Sequence, residues 1–205
     1  MSSPASANRM LAIGGLVTLL GVLLTAVGFV YVGQAEHSAV KRPFALVDTA
    51  GRTVTEHVFE GRPSLVYFGY TNCPEVCPTT LIEMADWLNE LGPEGRDLQA
   101  LFFTIDPERD TPDVVGPYVA SISDRIVGVT GSEAEMHKAS QAWLVVARKN
   151  GDGNDYHMKH TTSLLLVGRD GRLKGLIPYA TPREEAIDKI RQVLLRQEPV
   201  QLAGT

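Results

Sequence analysis

The sequence predicts an α/β domain with a mixed central sheet flanked by helices, preceded by one N-terminal transmembrane helix. Short apolar runs typical of buried strands alternate with segments whose apolar residues recur at helical spacing. Two late strands face each other across a glycine turn, which adds an antiparallel pair to the sheet. A single uncharged run near the N-terminus supplies the membrane helix.

The N-terminal segment carries no charged residue from Leu11 to Val32. About 20 consecutive apolar or small residues suffice to cross the hydrocarbon core of a bilayer, so we expect a retained anchor. A cleaved signal peptide ending in Gly33-Gln34-Ala35 is the alternative, although this apolar run is longer than a usual signal core.

The charge bias around this run predicts the side of the membrane. Arg9 precedes the run and favours a cytoplasmic N-terminus, with the C-terminal domain in the periplasm or outer face of a bacterial inner membrane. The predicted segments are a cytoplasmic N-terminus at 1–10, the anchor at 11–32, a tether at 33–42, the domain at 43–197 and a tail at 198–205.

The elements of the domain follow from start, stop and turn signals. Thr111-Pro112 and Thr181-Pro182 open helices, and Ser132-Glu133-Ala134-Glu135 is a capping box. Strands are expected at 44–48, 51–54, 64–69, 99–105, 126–129, 143–147, 161–167 and 173–177. Helices are expected at 78–91, from 112 onward, at 133–142 and from 182 to about 196, and a polar loop is expected at 148–159.

The two cysteines lie in one segment, Thr71-Asn72-Cys73-Pro74-Glu75-Val76-Cys77-Pro78, between a buried strand and a helix. A pair four residues apart closes too short a loop to be a disulfide scaffold. A helix N-terminus lowers the pKa of a thiol, so both sulfurs are expected to ionise readily. The segment therefore predicts either disulfide exchange or soft-metal binding, in the strand–cysteine turn–helix order of thioredoxin-like proteins.

Copper(I) is the metal that this donor set favours. A structural zinc site needs four ligands, whereas copper(I) accepts fewer and prefers sulfur, so two cysteines and one histidine suffice. His37, His57 and His137 are expected on the surface. His157 and His160 both remain candidates, and residues three apart on a strand point to opposite faces. The thioethers of Met84, Met136 and Met158 are expected to serve packing instead.

Three ordered motifs resemble the Sco/SenC family of membrane-tethered copper proteins that help to assemble the binuclear copper centre of cytochrome c oxidase. They are 67–81 around the cysteines, Thr104-Ile105-Asp106-Pro107-Glu108-Arg109-Asp110-Thr111-Pro112, and His160-Thr161. The resemblance implies that Cys73, Cys77 and His160 bind one copper ion, Cu(I) or also Cu(II). The family usually has an acidic residue at the position of Lys159, and such an acid can orient the imidazole of the histidine. In this chain that orienting role is left empty or passes to Asp155.

The resemblance implies a metallochaperone rather than an enzyme. Its expected partners are the copper-bearing subunit of the oxidase, an upstream copper donor, a thiol reductant and, through the anchor, the membrane. The alternative is a thiol-disulfide oxidoreductase acting through Cys73 and Cys77, or a redox or copper sensor. Peroxide reduction is not expected, because the chain lacks the cysteine motif of peroxiredoxins. The second motif is interpreted as structural or as a docking surface. With a net charge of −5 and no basic run, nucleic acid is not an expected partner.

Overall fold

The computed structural model describes residues 21, 25, 43–151, 153 and 155–195. The chain forms two compact units, Met1–Ser38 and Ala39–Thr205. In the first unit the described residues, Gly21 and Thr25, are helical, and the Thr25 hydroxyl donates to the carbonyl oxygen of Gly21 at 3.0 Å. The rest of the predicted anchor at 11–32 and the predicted segments 1–10, 33–42 and 198–205 lie outside the described residues. None of the helices described is both long enough and apolar enough to cross a membrane.

The second unit is an α/β domain built on a mixed seven-stranded sheet. Its strands are β1 (Leu46–Asp48), β2 (Thr53–Val54), β3 (Ser64–Gly69), β4 (Gln99–Thr104), β5 (Ile126–Thr130), β8 (Leu164–Val167) and β9 (Leu173–Ile177), in the order β2-β1-β5-β4-β3-β8-β9. The centre, β3 to β5, is parallel, and β1 and β8 are antiparallel to it. The predicted mixed central sheet flanked by helices is confirmed.

The described part of this domain also contains four helices and one 3₁₀ turn, of which the last helix follows the final strand. They are the 3₁₀ turn Glu56–Phe59, α1 (Val76–Leu91), α2 (Pro112–Ala120), α3 (Glu133–Ala142) and α4 (Arg183–Leu195). The predicted capping residue Ser132 accepts a hydrogen bond from the Glu135 N–H. Glu135 itself accepts from the N–H of Ala45 at 2.8 Å. The carboxylate thus links α3 to the start of the domain.

The central strands are buried on both faces, as their continuous apolar sequences predict. Every residue of β3 is buried, and β4 is buried except at its first position. Tyr67, Phe68, Phe102 and Phe103 are among the largest fully buried side chains. The carboxyl end of β3 is therefore held rigidly where the chain enters the cysteine-bearing turn.

A separate two-stranded ribbon replaces the predicted strand at 143–147 and the predicted loop at 148–159. It pairs β6 (Ala147–Asn150) antiparallel with β7 (His157–His160) and lies outside the seven-stranded sheet. Leu144 has a left-handed backbone with φ of +55° directly after α3, which interrupts the apolar run that predicted a strand. The polar residues beyond it form the ribbon instead.

Gly128 of β5 permits the close approach of α2 to the sheet. A Cβ at this position would overlap Cγ1 of Val115 and lie 2.9 Å from Cγ2 of Thr49. Gly128→Ala is therefore expected to lower the free energy of unfolding by about 1–3 kcal/mol, measured by denaturant unfolding. Gly175→Ala is the control, because a Cβ there lies 3.8 Å from Leu166, an ordinary contact distance, and a glycine inside a strand packs no side chain. Equal stability of the two variants would contradict this packing.

Candidate metal centre

The two cysteines lie where β3 passes into α1. Cys77 is the second residue of α1 and is fully buried, whereas Cys73 lies in the preceding turn and is partly exposed. The helix begins at Val76, two residues before its predicted start. Sγ of Cys73 accepts a hydrogen bond from the N–H of Cys77 at 3.4 Å, which satisfies one of the free donors of the first helical turn. Both thiols are free.

The expectation that both thiols ionise readily is wrong for Cys77. Burial raises its pKa to about 12, and the hydroxyl of Tyr67, which donates to Sγ at 3.5 Å, offsets only part of that effect. A helix terminus contributes about 0.3–1 kcal/mol, less than one pKa unit, whereas full burial shifts a pKa by several units. Cys77 is therefore a neutral thiol at pH 7, and a metal that binds there must displace the proton.

His160 brings an imidazole against Cys77. It is the last residue of β7, and its Nε2 lies 3.7 Å from Sγ of Cys77 although 83 positions separate them in sequence. Its Nδ1 is 2.8 Å from the carbonyl oxygen of Thr161. Because a carbonyl oxygen only accepts, Nδ1 carries the proton and Nε2 presents its lone pair to Cys77. Burial lowers the pKa of His160, which favours the neutral, metal-binding imidazole.

Two tyrosines that the sequence did not single out enclose this imidazole. The rings of Tyr67 and Tyr70 meet the ring of His160 edge-on, with centroid distances of 6.2 and 5.9 Å. Tyr67 also donates to Cys77, so one buried phenol contacts both candidate ligands. The tyrosines flank Phe68-Gly69 at the end of β3, and only the tertiary position of β7 brings them to the histidine.

The other face of β7 is exposed to solvent. His157 and Lys159 are exposed, whereas His160 is half-buried. None of the hydrogen bonds or ion pairs among the described residues joins Lys159 to the imidazole of His160. The orienting role expected of an acid at this position, or of Asp155, is filled by the carbonyl of Thr161.

The remaining described histidines and methionines lie elsewhere. His57 contacts Glu60 at 3.2 Å, and His137 contacts Gln141 at 2.7 Å. Met84 and Met136 are buried in the core, and Met158 packs against it. His37 lies outside the described residues.

Sγ of Cys77 and Nε2 of His160 are spaced for two bonds to one ion. With metal–sulfur and metal–nitrogen bonds of about 2.3 and 2.0 Å, the 3.7 Å separation subtends about 120° at the ion, the angle of trigonal coordination. Over the described part of the chain, no group of three or more His, Cys, Asp and Glu side chains already has a metal-binding arrangement. Sγ of Cys73 accepts the N–H of Cys77, and a thiolate that accepts such a bond keeps further lone pairs for a metal.

The fold and these side chains define a class of protein: a thioredoxin-like α/β domain with a thiol pair at the strand-to-helix turn and a histidine against it. The family model described as SCO1/SenC matches residues 32–195. The chain belongs to the SCO1/SenC family, which confirms the resemblance found in its three motifs.

Individual relatives agree with this assignment. An SCO2-like protein of Rickettsia felis is 34% identical over 145 residues, which cover 69% of this chain and 71% of that protein. A structure of ScoI from Bradyrhizobium japonicum with copper bound is 37% identical, with a TM-score of 0.68 over 74% of this chain and 97% of that chain.

A third relative carries information about the cysteines. BsSco, described as a member of the Sco family of cytochrome c oxidase assembly proteins with a disulfide switch, is 26% identical. Its TM-score is 0.61, over 76% of this chain and 93% of that chain.

Proposed function

We propose that this protein carries one copper ion on Cys73, Cys77 and His160 and delivers it to the binuclear copper centre of cytochrome c oxidase. The observation that carries the proposal is the 3.7 Å approach of the His160 imidazole to the Cys77 thiol from distant parts of the sequence. Membership of a family whose solved relatives include copper-bound proteins supports copper as the ion. A relative described among oxidase assembly proteins supports the recipient.

The donor set fits copper(I) better than zinc. Two sulfurs and one neutral imidazole give three ligands, and the trigonal angle available between Cys77 and His160 suits a three-coordinate soft ion. A closed structural zinc site would need a fourth ligand. Copper uptake requires Cys77 to lose its thiol proton to solvent.

Delivery fits the uneven exposure of the two thiols. Cys77 is buried, whereas Cys73 opens onto a cleft whose lining includes Pro74, Glu75 and His157. A ligand side chain of the recipient protein can approach the ion at Cys73 and replace the ligands of this protein one at a time. This ligand exchange leaves copper in the Cu(I) state and needs no electron donor.

The segment at 11–32 is proposed to anchor the chain in a bacterial inner membrane, with the domain in the periplasm. Its uncharged sequence and the preceding Arg9 support this placement. The oxidase copper-bearing subunit, an upstream copper donor and a thiol reductant are the proposed partners of the domain.

Metal analysis of the purified full chain in detergent tests the copper proposal. The reduced chain, loaded with copper(I) and freed of excess metal, is expected to retain one copper per chain. The same procedure with zinc should leave no stoichiometric metal. A wild-type chain that retains no copper would overturn the proposal.

Thiol-disulfide exchange is the second candidate function, and the proximity of the two free thiols favours it. The thiols of Cys73 and Cys77 interact with each other, and the BsSco relative is described as having a disulfide switch. In this reaction the pair would lose two electrons and two protons as its own disulfide forms, and a disulfide of the oxidase subunit would gain them.

The copper-free chain is expected to form a reversible disulfide between Cys73 and Cys77. The cysteines lie one helical turn apart, and an oxidising compartment favours the bond. Free-thiol counting after air exposure should give no thiol, and reduction should restore two. Cys73→Ser is the control, because it leaves one thiol without an intramolecular partner. Two persistent thiols in the wild-type chain would contradict this prediction.

A further inference from the structure

The histidine candidate ligand lies on a ribbon outside the main sheet. β6 and β7 pair only with each other, outside the seven-stranded sheet. A two-stranded ribbon is marginally stable in water by itself. The position of His160 relative to the cysteines therefore depends on what fastens this ribbon to the domain.

Tyr156, the residue directly before β7, links the ribbon to the rest of the domain. Its side chain is buried, and its hydroxyl donates to Oδ1 of Asp106 at 2.5 Å. The guanidinium of Arg109 lies 3.6 Å from the centre of the Tyr156 ring, and its Nη1 donates to the Tyr156 carbonyl oxygen at 3.1 Å. Nε of Arg109 also donates to Oδ2 of Asp106 at 2.6 Å, which closes the group.

Asp110, which lies in the same chain segment as Asp106 and Arg109, makes hydrogen bonds to the cysteine-bearing turn. Oδ2 of this buried carboxylate accepts the backbone N–H of Thr71 at 3.0 Å, and Oδ1 accepts the Thr71 hydroxyl at 2.5 Å. The Thr104 hydroxyl donates to Oδ2 from the end of β4. Thr71 is two residues before Cys73, so this carboxylate fixes the start of the turn.

Stability alone does not account for such a cluster. Asp106 is buried and Arg109 is partly buried, so both charges lose contact with water, and buried ion pairs are often replaceable by apolar side chains without loss of stability. The neighbouring pair of Glu108 and Lys149 is exposed at both ends and adds little. These polar groups are better explained by a role in fixing the ribbon and the cysteine-bearing turn relative to each other.

We propose that the segment 106–110 is a bracket that holds the cysteine-bearing turn and the β6–β7 ribbon in register. Asp106, Arg109 and Tyr156 position the imidazole of His160, and Asp110 positions Cys73. The consequence for copper rests on the function proposed above, whereas the coupling of the two segments is a property of the copper-free domain.

Tyr156→Phe tests the bracket, because it keeps the ring beneath Arg109 and removes only the hydroxyl, with its bond to Asp106 and its longer one of 3.4 Å to Glu108. Copper(I) affinity in competition with a chelator is expected to fall about 10–100-fold, the range for groups that orient a metal ligand. Absorption at the copper edge should show a weakened imidazole contribution. In the copper-free chain, amide hydrogens of β6 and β7 should exchange faster, while those of β3 and β4 keep their protection.

A matched pair of arginine variants separates positioning from general destabilisation. Arg109→Lys removes the fork that joins Asp106 to Tyr156. Arg125→Lys removes a comparable fork, from Nη1 and Nη2 to the carbonyls of Leu88 and Gly95, away from both cysteines. Only the first variant is expected to weaken copper binding and loosen the ribbon.

The outcomes distinguish this proposal from the function on which it rests. Unchanged exchange of the ribbon amides in Tyr156→Phe and Arg109→Lys overturns the bracket, whatever the wild type does with copper. An Arg125→Lys chain that loses as much copper affinity as Arg109→Lys overturns it as well. Faster ribbon exchange in variants of a chain whose wild type binds no copper overturns the copper proposal instead, and the coupling between the segments stands.

Discussion

Replacing Cys77 with alanine is expected to abolish stable copper binding. Four-ligand zinc sites bind with about 10–16 kcal/mol, or about 2.5–4 kcal/mol per ligand, so losing one ligand should weaken binding about 10²–10³-fold. The thiol is fully buried between Tyr67 and His160, and beyond Cys73, itself a proposed ligand, the sequence has no third cysteine that could replace it. Metal analysis after desalting should find less than one tenth of the wild-type copper, a loss of about tenfold or more at the concentrations of such an assay.

Met84→Leu is the matched control for this variant. Met84 is seven residues further along the same helix, is equally buried and also carries a sulfur, but it lies in the core rather than at the turn. Its variant should keep the full copper content. Circular dichroism should show that both variants are folded, because trimming one buried side chain costs about 1 kcal/mol in typical cases. A Cys77→Ala chain that still binds copper would remove Cys77 from the ligand set.

The fold was predictable wherever local sequence and burial agree. The apolar run at 64–69 coincides with β3, because a parallel strand at the centre of a sheet is buried on both faces. Ser132 caps α3 as its motif predicts, since a cap depends on residues only three positions apart. Pro112 likewise lies at the start of α2.

The β6–β7 ribbon was not predictable in the same way. Arg148 lies opposite Lys159, and Asn150 lies opposite His157, so one face of the ribbon is wholly exposed and polar. Such residues carry no apolar alternation from which a strand could be inferred. The apolar run at 143–147 misled the prediction because α3 ends there in the left-handed turn at Leu144.

The identity of the candidate ligands could be predicted from the sequence, but the burial and hydrogen bonding around them could not. The sequence singles out Cys73 and Cys77 as a pair, the family resemblance implies His160, and the structure brings Cys77 and His160 together. The raised pKa of Cys77 could not be predicted. The sequence indicates the helix terminus, which lowers the pKa of a thiol, but not the depth of burial, which raises it by more. The carbonyl of Thr161 is equally hidden from sequence reasoning, since any residue supplies a carbonyl.

Replacing His160 with alanine is expected to weaken copper(I) binding about 10²–10³-fold and to leave the two thiols free and titratable. Nε2 of this residue is the nitrogen that faces Cys77, and its tautomer is set by the carbonyl of Thr161. Any copper that the variant retains should therefore lack an imidazole signal in absorption at the copper edge. Apo-protein disulfide formation should persist, because disulfide exchange between Cys73 and Cys77 does not involve the imidazole.

His157→Ala is the matched control, because it removes an imidazole from the same short strand, three residues away and on the opposite, exposed face. It should change neither the affinity nor the nitrogen signal, and Lys159→Ala should behave in the same way. The two histidines were equal candidates on strand periodicity alone, so this comparison decides between them. Loss of the nitrogen signal in His157→Ala, with the signal kept in His160→Ala, would mean that the 3.7 Å approach of His160 to Cys77 is a packing contact and that copper binds with a different geometry of the ribbon.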